Sequence, residues 1–450
     1  MNTLIFLGES VGVVLTAFFI LAASRRAITG VGALLITYFG ATAYFGIPPY
    51  YGIPPVFVGV NVFWPDALCT LLLISGAVRI FTSRNRPLQL TDMPWLAFGA
   101  VMFISLLLGI ETYGVGVAVT AARSTYYFWS CAFYLGTFYL SDLEIRQIFR
   151  WITGIAIGFS ALVLFRWVSD FAGLSQYYVI GTYRWRVVSS TEAFVIGIAA
   201  VWLLISHLSR PSRTKLFGVL ALLLVVLILQ HRSAWLSTCA GLVAVILTGA
   251  KSQSRILKLA TSLLILLFLA WIYAGQSSLG QSLGADLNNS VSAAENLYDG
   301  TSFARIETWR VLSERWQQAD SSVWLIGFPY GTPMTRYVGA AVAEFSAHNF
   351  YVETLFDNGL VGELAVLLCI TVLVMRSVGS SKAAPRDIAI HQMSVAFLCS
   401  MLVYFITYGA GYIHGILIGI AISSTLAAKR PKARKVLSSL YSFKVSKEVN

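Results

Sequence analysis

Long apolar runs constrain this chain more than any other feature of its sequence. A run of about 20 apolar residues can cross a bilayer, and thirteen runs approach that length: 3–23, 28–46, 56–78, 93–110, 122–140, 151–171, 191–206, 216–230, 234–250, 259–275, 356–375, 390–408 and 411–428. If the last two form a re-entrant hairpin at Gly409-Ala410-Gly411, twelve remain. Charged residues are 12% of the chain, against about 25% in soluble domains. We therefore expect an all-α polytopic membrane protein.

Basic charge alternates from one connection to the next. The connections at 24–27, 79–90, 141–150, 207–215, 251–258 and 376–387 and the tail after 428 hold 23 of the 32 Lys and Arg residues. The positive-inside rule places these in the cytoplasm. The resulting domains are 1–275 (transmembrane helices 1–10), 276–347 (a large periplasmic loop), 348–428 (C-terminal transmembrane helices) and 429–450 (a basic cytoplasmic tail). Topology and anionic lipid account for the net charge of +12, so no nucleic-acid partner is expected.

The nine basic residues left over are all Arg: Arg123, Arg166, Arg184, Arg186, Arg232, Arg305, Arg310, Arg315 and Arg336. A guanidinium group binds phosphate or carboxylate through two parallel hydrogen bonds. An outer face that keeps Arg and excludes Lys therefore points to an anionic ligand. Selection against Lys on the translocated side would leave the same pattern.

A titratable block begins at His348, where the predicted loop meets a predicted span. Imidazole has an ordinary pKa of about 6.5 and is suited to taking a proton from a hydroxyl. Glu353 and Asp357 follow four residues apart and share a helix face. Either carboxylate could orient the imidazole or bind sugar hydroxyls. Alternatively, all three are interfacial residues that cap and solvate a helix end.

Two other polar groups interrupt apolar sequence on the outer side. Arg232 lies between two runs, either as a functional charge or as a side chain that reaches lipid phosphate. Arg184 and Arg186 form an aromatic-basic loop with Tyr183 and Trp185, suited to a glycan contact or to interfacial anchoring.

Within the spans, Asp66 follows the helix-breaking Pro65 and is expected to line a cavity or a proton path. Arg166 and Asp170 are four residues apart and are expected to neutralise each other.

Motifs for nucleotide or metal chemistry do not occur in the sequence. There is no Asp-x-Asp motif, Walker A loop or Cys/His metal spacing. The five Cys residues lie in apolar runs and are expected to pack there. We expect no metal and no cofactor, so an enzyme on the outer face needs a donor that is already activated.

Three segments resemble the O-antigen ligase/polymerase superfamily. His348-Asn349-Phe350-Tyr351-Val352-Glu353-Thr354-Leu355, continuing to Gly359 and Gly362, resembles the "HN…L…GxxG" block that closes its large periplasmic loop. Arg232-Ser233-Ala234-Trp235 resembles the Arg-Ser-Ala-Trp motif that opens a middle helix, and Arg305, Trp309 and Gly327 resemble the Arg…Trp…Gly stretch of the loop. Together they cover roughly residues 215–376. Asp357-Asn358-Gly359 stands where many members carry Glu-x-Gly, so Asp357 receives no role.

The resemblance implies a GT-C-like, metal-independent, inverting glycosyltransferase in the bacterial inner membrane, with its site facing the periplasm. Its donor would be an undecaprenyl-diphosphate-linked oligosaccharide. Arg232 and Arg305 would bind the diphosphate and His348 would activate the acceptor hydroxyl. The residues themselves add Arg184, Arg186 and Glu353 as substrate contacts. The expected partners are the lipid-linked donor, a glycan or lipid A–core acceptor, membrane lipids and a chain-length regulator.

Three functions stay open at this point. The long loop and the aromatic-basic segment at 181–186 favour a polymerase that holds a growing glycan. A ligase that transfers glycan to lipid A–core or to protein would carry the same motifs. A carrier or flippase of a lipid-linked or anionic solute would use the same Arg residues without catalysis, with support from Asp66 and the Arg166–Asp170 pair.

Overall fold

The computed structural model describes residues 2–45, 56–57, 60–82, 93–168, 177–180, 183–248, 300–338, 341–344, 347–381 and 388–427. Most of these residues are helical, in the elements α1 (Asn2–Arg25), α2 (Ala27–Phe45), α3 (Trp64–Thr82), α4 (Met93–Tyr113), α5 (Val115–Gly136), α6 (Asp142–Val168), α7 (Ser190–Ser209), α8 (Arg213–Ile228), α9 (Arg232–Thr248), α10 (Gly300–Gln317), α11 (Ser321–Ile326), α12 (Phe350–Ser381), α13 (Ile388–Phe405) and α14 (Tyr412–Ala427). The helical prediction is confirmed for this part of the chain.

In the described part of the chain, three antiparallel two-stranded hairpins occupy connections between the helices. They are β1 (Val56–Phe57) with β2 (Val60–Asn61), β3 (Tyr177–Ile180) with β4 (Tyr183–Arg186), and β5 (Thr335–Val338) with β6 (Ala341–Glu344). The sequence predicted a loop at 181–186 and no strands.

The predicted start of the third span at residue 56 is wrong. The first hairpin occupies its opening residues, and α3 begins at Trp64. Pro65 lies in the first turn of α3, where the missing N–H costs no helical hydrogen bond. The Phe63 N–H donates to Asp66 Oδ2 at 2.8 Å, which ties down the residue that precedes the helix. Pro65 therefore starts a helix and does not break one.

The chain is a multi-pass membrane protein. Among the described residues, five helices are long and apolar enough to cross a membrane: Trp64–Thr82, Met93–Tyr113, Asp142–Trp167, Ser190–Ser209 and Phe350–Val378. A sixth span results if Val14–Arg25 and Ala27–Gly40, which meet at a bend of 120°, count as one. Three shorter apolar helices accompany them. The run at 259–275 and the tail at 429–450 lie outside the described residues, so the expected count of twelve or thirteen stays a prediction.

Helix α7 lies at the centre of the bundle. In the window that could span the membrane, 72% of its residues are buried, compared with 50% for α12. It packs against α6, α8, α9 and α13. The pair α5 and α14 is also closely packed, because Gly415 and Gly419 face α5: a Cβ on Gly415 would lie 2.3 Å from the Phe128 carbonyl oxygen.

The segment between α9 and α12 docks on the bundle through α10 and a following turn. Leu312, Ala347 and Phe356 form a small buried cluster of their own, with Trp309 packed against it. The predicted helix Phe303–Gln318 corresponds to α10. Trp309 and Leu312 lie on its packed face as expected, whereas Ile306 is 41% exposed.

The turn that follows α11 lies on α4. The Ser105 hydroxyl donates to the Phe328 carbonyl at 2.8 Å, and the Tyr330 N–H donates to the Ser105 carbonyl at 3.2 Å. Burial raises the pKa of Tyr330 well above its ordinary value. Its hydroxyl donates to Asn358 Oδ1 at 3.2 Å, so the protonated form also ties this turn to α12.

Candidate functional site

The His348 block forms the capped start of α12. Asn349 Oδ1 accepts from the N–H groups of Tyr351 at 3.0 Å and Val352 at 3.2 Å, as an N-cap residue does. His348 precedes the cap with a φ of +51°. Non-glycine residues rarely adopt this left-handed conformation, and it is costly unless the surroundings impose it.

Glu353 helps to impose the conformation of His348. Its Oε1 accepts from the His348 backbone N–H at 3.1 Å, and its Oε2 faces Gly409, where an added Cβ would lie 2.9 Å away. The sequence predicted Glu353 as a substrate contact or as a partner of the imidazole. In the structure the Glu353 carboxylate binds the His348 backbone N–H and lies between the start of α12 and the α13–α14 connection.

The rings of His348 and Tyr408 lie together, with centroids 5.5 Å apart. Tyr408 belongs to the connection between α13 and α14. The Arg305 guanidinium carbon lies 5.4 Å from the centroid of the same Tyr408 ring. Two residues that the sequence placed in separate motifs therefore flank one aromatic side chain.

The Arg305 side chain has an unsatisfied hydrogen-bond donor. Its Nε is buried and has no hydrogen-bond partner in the described part of the protein. An unsatisfied buried donor costs about 1–3 kcal/mol, and more when the group is charged. Such an N–H is suited to donate a hydrogen bond to a ligand oxygen.

Trp309, one helical turn after Arg305, holds α10 against the start of the His348 block. Its indole Nε1 donates to the Ala347 carbonyl at 2.9 Å. Because Ala347 directly precedes His348, this bond fixes the position of α10 relative to the imidazole.

Two glycines allow the turn after α11 to approach the middle of α12. Gly327 has a φ of +84° and Gly359 has a φ of +59°, which kinks α12. A Cβ on Gly327 would lie 2.3 Å from the Asp357 carbonyl carbon, and a Cβ on Gly359 would lie 2.5 Å from the Leu325 carbonyl. The Phe328 N–H donates to the Phe356 carbonyl at 2.7 Å across this contact. Two motif glycines thus form one backbone contact.

Arg232 opens α9, as expected. Gln230, two residues earlier, has a φ of +55°. Among the described residues, Gln230 and His348 are the two non-glycine residues with a positive φ. His231, between Gln230 and Arg232, lies within hydrogen-bonding distance of the Val188 carbonyl (Nε2, 3.0 Å) and the Ser190 hydroxyl (Nδ1, 3.4 Å). These contacts place the start of α9 beside the start of α7.

A short path joins that position to the His348 site. Thr191 Oγ1 and Tyr404 Oη are 3.3 Å apart, and Tyr404 stacks on Tyr408 with ring centroids 5.4 Å apart. Arg232 therefore lies at the same end of the bundle as His348 and Arg305.

The two other predicted Arg residues lie in a hairpin. Arg184 and Arg186 belong to β4 and pair with Val179 and Tyr177 of β3. The glycan contact predicted for their side chains stays a prediction. Arg166 Nη1 donates to the Val187 carbonyl, directly after β4. Asp170 lies outside the described residues, so the expected Arg166–Asp170 pair stays a prediction.

Asp66 and Arg123 form an ion pair that the sequence did not predict, with Arg123 Nε 2.9 Å from Asp66 Oδ1. The Tyr127 hydroxyl also donates to Asp66. A largely apolar cavity of about 540 Å³ lies on one side, lined by Asp66, Arg123 and residues of α1, α3, α4 and α5. A second cavity of about 390 Å³ has Arg123 in its lining and reaches the α13–α14 connection. The prediction that Asp66 lines a cavity is confirmed.

Sequence reasoning missed Tyr408 and the role of Arg123. The only signal for Tyr408 was the interruption Tyr408-Gly409-Ala410-Gly411 between two apolar runs. Within the described residues, no three His, Cys, Asp or Glu side chains are grouped so that they could hold a metal ion. Comparison with models of protein families and with curated proteins finds no match to this chain.

Proposed function

We propose that this protein is a membrane glycosyltransferase that transfers or polymerises undecaprenyl-diphosphate-linked glycan at the periplasmic face of the bacterial inner membrane. One observation carries the proposal: the His348 imidazole and the Arg305 guanidinium flank the Tyr408 ring. A base beside an anion-binding group is what a transfer from a diphosphate donor requires.

In the proposed reaction the acceptor hydroxyl attacks the anomeric carbon of the donor sugar from the face opposite the diphosphate. His348 takes the hydroxyl proton as the new carbon–oxygen bond forms. The bond from the anomeric carbon to the diphosphate oxygen breaks, and its electron pair leaves with that oxygen. Arg305 stabilises the growing negative charge, and Arg232 assists from the start of α9. The anomeric configuration is inverted.

The backbone geometry around His348 supports this role. A left-handed residue held by Glu353, an N-cap and the Trp309 bond to Ala347 is fixed before substrate arrives. Preorganised groups need little rearrangement in the transition state. Burial of the unpaired Arg305 Nε fits a ligand that supplies the missing acceptor.

A non-catalytic carrier is the second candidate, and one observation favours it. The Asp66–Arg123 pair borders two cavities, both of which Arg123 lines. Ion pairs inside membrane proteins often mark solute pathways. A carrier would not need an imidazole at residue 348, which separates the two candidates experimentally.

The test uses His348→Asn and Arg305→Ala in a strain that depends on this protein. Asn adopts positive φ more readily than most residues, so it preserves the backbone while it removes the base. We expect both variants to lose the long-polysaccharide ladder on a gel while remaining in the membrane. Arg310→Ala is the matched control, because Arg310 is exposed on the same helix and pairs with Glu307 and Glu314. Near-normal ladders in both His348→Asn and Arg305→Ala would refute the proposed glycosyltransferase activity.

Deletion of the protein separates polymerase from ligase. A product with a single repeat indicates a polymerase, which the long loop favours. Accumulation of lipid-linked polymer indicates a ligase acting on lipid A–core or protein. A chain-length regulator is the expected additional partner of a polymerase.

A further inference from the structure

The cavity of about 390 Å³ beside Arg123 has a mainly apolar surface that carries several polar groups. Nine of its twelve lining residues carry a hydroxyl or a charge, among them Tyr38, Arg123, Tyr127, Thr191, Glu192 and Tyr412. Its size is at the lower end of the range of about 300–1,000 Å³ for small-molecule sites. The ligand it fits is therefore small and has both apolar faces and hydroxyl groups.

One wall of this cavity is aromatic. The Tyr412 ring lies between Tyr38, at a centroid distance of 5.1 Å, and Tyr127, at 5.9 Å, edge-on to both. Flat rings offer a face to the C–H groups of a sugar, and their hydroxyls bind its oxygen atoms.

Charge in the cavity disfavours a polyanion. Arg123 is paired with Asp66, and Glu192 is a second carboxylate with 6% of its surface exposed. Asp66 lies behind Arg123 and does not line this cavity, but with it the two carboxylates and one guanidinium have a formal charge of −1, which repels a diphosphate. A carboxylate accepts hydrogen bonds from two neighbouring sugar hydroxyls, or from the ammonium of an amino sugar.

The cavity adjoins the His348 site through the α13–α14 connection. Tyr408, at one end of that connection, contacts His348 and Arg305, and residues Ala410 to Tyr412 line the cavity. Thr191, in the cavity wall, meets Tyr404, which stacks on Tyr408.

We infer that this cavity binds a neutral or amino sugar and serves as the acceptor subsite next to the diphosphate site. The acceptor role rests on the proposed function, whereas the binding of a sugar does not. The structure thereby separates two chemistries: guanidinium groups for the donor diphosphate, and tyrosines with Glu192 for the acceptor sugar.

Glu192→Gln is the sharpest variant because it removes charge and little else. Ser189 is the N-cap residue of α7: its hydroxyl accepts from the Thr191 N–H at 3.3 Å and donates to Glu192. The side-chain oxygen of Gln can accept the same bond, so α7 should stay intact. Thr120→Val is a second variant that removes a lining hydroxyl at nearly constant volume. Glu111→Gln, at an exposed carboxylate on α4, is the matched control.

The experiment is saturation-transfer NMR on the full chain in lipid nanodiscs with galactose, glucose, mannose, rhamnose, N-acetylglucosamine and glucosamine. We expect at least one sugar to bind, with its Kd raised tenfold or more by Glu192→Gln, raised by Thr120→Val and changed less than twofold by Glu111→Gln. Inorganic pyrophosphate should not displace it. The subsite is refuted if no sugar binds, if both cavity variants bind normally, or if pyrophosphate competes.

His348→Asn separates this inference from the proposed function. It should lose the polysaccharide ladder and keep sugar binding. If His348→Asn loses the ladder but no sugar binds to the wild-type protein, the transferase proposal stands and the subsite is refuted. If His348→Asn binds sugar and also makes a normal ladder, the cavity is a sugar site without the acceptor role. Uptake of the bound sugar into proteoliposomes would also refute the acceptor role.

Discussion

Tyr408 connects three segments that are far apart in sequence into one site. It lies in the α13–α14 connection, and its ring meets the imidazole from the start of α12 and the guanidinium from α10. A guanidinium group over an aromatic face is stabilised by about 0.5–2 kcal/mol, depending on how far it is desolvated. We therefore regard Tyr408 as a positioning residue for Arg305 and His348.

Tyr408→Ala should lower the transfer rate about 2- to 30-fold, which corresponds to the loss of about 0.5–2 kcal/mol of ring contact. Tyr408→Phe keeps the ring and should retain most of the activity. The measurement is polysaccharide synthesis at matched protein level in the membrane. Equal rates for Ala and Phe would mean that the ring contact does not position the site.

At the scale of elements, α10 depends on two contacts with the start and the middle of α12. Trp309 binds the Ala347 carbonyl near its start, and the turn after α11 meets α12 at the kink. Leu312 and Phe356 fill the space between these contacts. The loop helix is thus held relative to His348 by a hydrogen bond, a small apolar cluster and a backbone contact.

Trp309→Phe tests the hydrogen bond alone. It removes the Nε1 donor and preserves most of the packing, so we expect a loss of about 0.5–1.5 kcal/mol, or up to about tenfold in rate if Arg305 shifts. Trp309→Ala should be considerably worse, because it also opens a void in the cluster. Wild-type synthesis by Trp309→Phe would exclude a positioning role for this bond.

Gly327→Ala tests the backbone contact. The new Cβ would meet the α12 backbone, and alanine is strained at the φ of Gly327, so the cost is at least about 1–3 kcal/mol. We expect a lower unfolding temperature and less protein in the membrane. Gly154→Ala is the control, since nothing lies within 4 Å of a Cβ there, and in a helix Ala is favoured over Gly. Equal stability of the two variants would contradict the close approach.

For the whole molecule, the expected functional end of the bundle is the one where α7 and α9 begin, α13 ends and α12 begins. The contacts from His231 to α7 and from Thr191 to Tyr404 bring these termini together. The charge distribution of the loops predicts that this end faces the periplasm.

Alkaline phosphatase fusions test that orientation, because the enzyme is active only outside the cytoplasm. A fusion after Ser212, between α7 and α8, should be inactive, and a fusion after Ala319, between α10 and α11, should be active. The reverse pattern would place the His348 site in the cytoplasm and overturn the proposed donor chemistry.

Local signals made much of this protein predictable. Apolar run length identified the membrane helices, and three-to-four-residue spacing identified α10, because both depend on residues close in sequence. The same reasoning failed at residues 56–63, where an apolar run forms a hairpin and the start of α3. Apolar composition alone does not distinguish a strand from a helix.

The sequence by itself determined the class of the protein and the start of α9 at Arg232, and it singled out His348 and Arg305 as candidate site residues. Only the tertiary structure decided which of these meet. It joined His348 and Arg305 through Tyr408, brought Gly327 to the kink at Gly359, and paired Asp66 with Arg123, 57 residues apart. Hydropathy and helical periodicity are properties of neighbouring residues, whereas these contacts depend on how whole helices pack, and no local pattern encodes that.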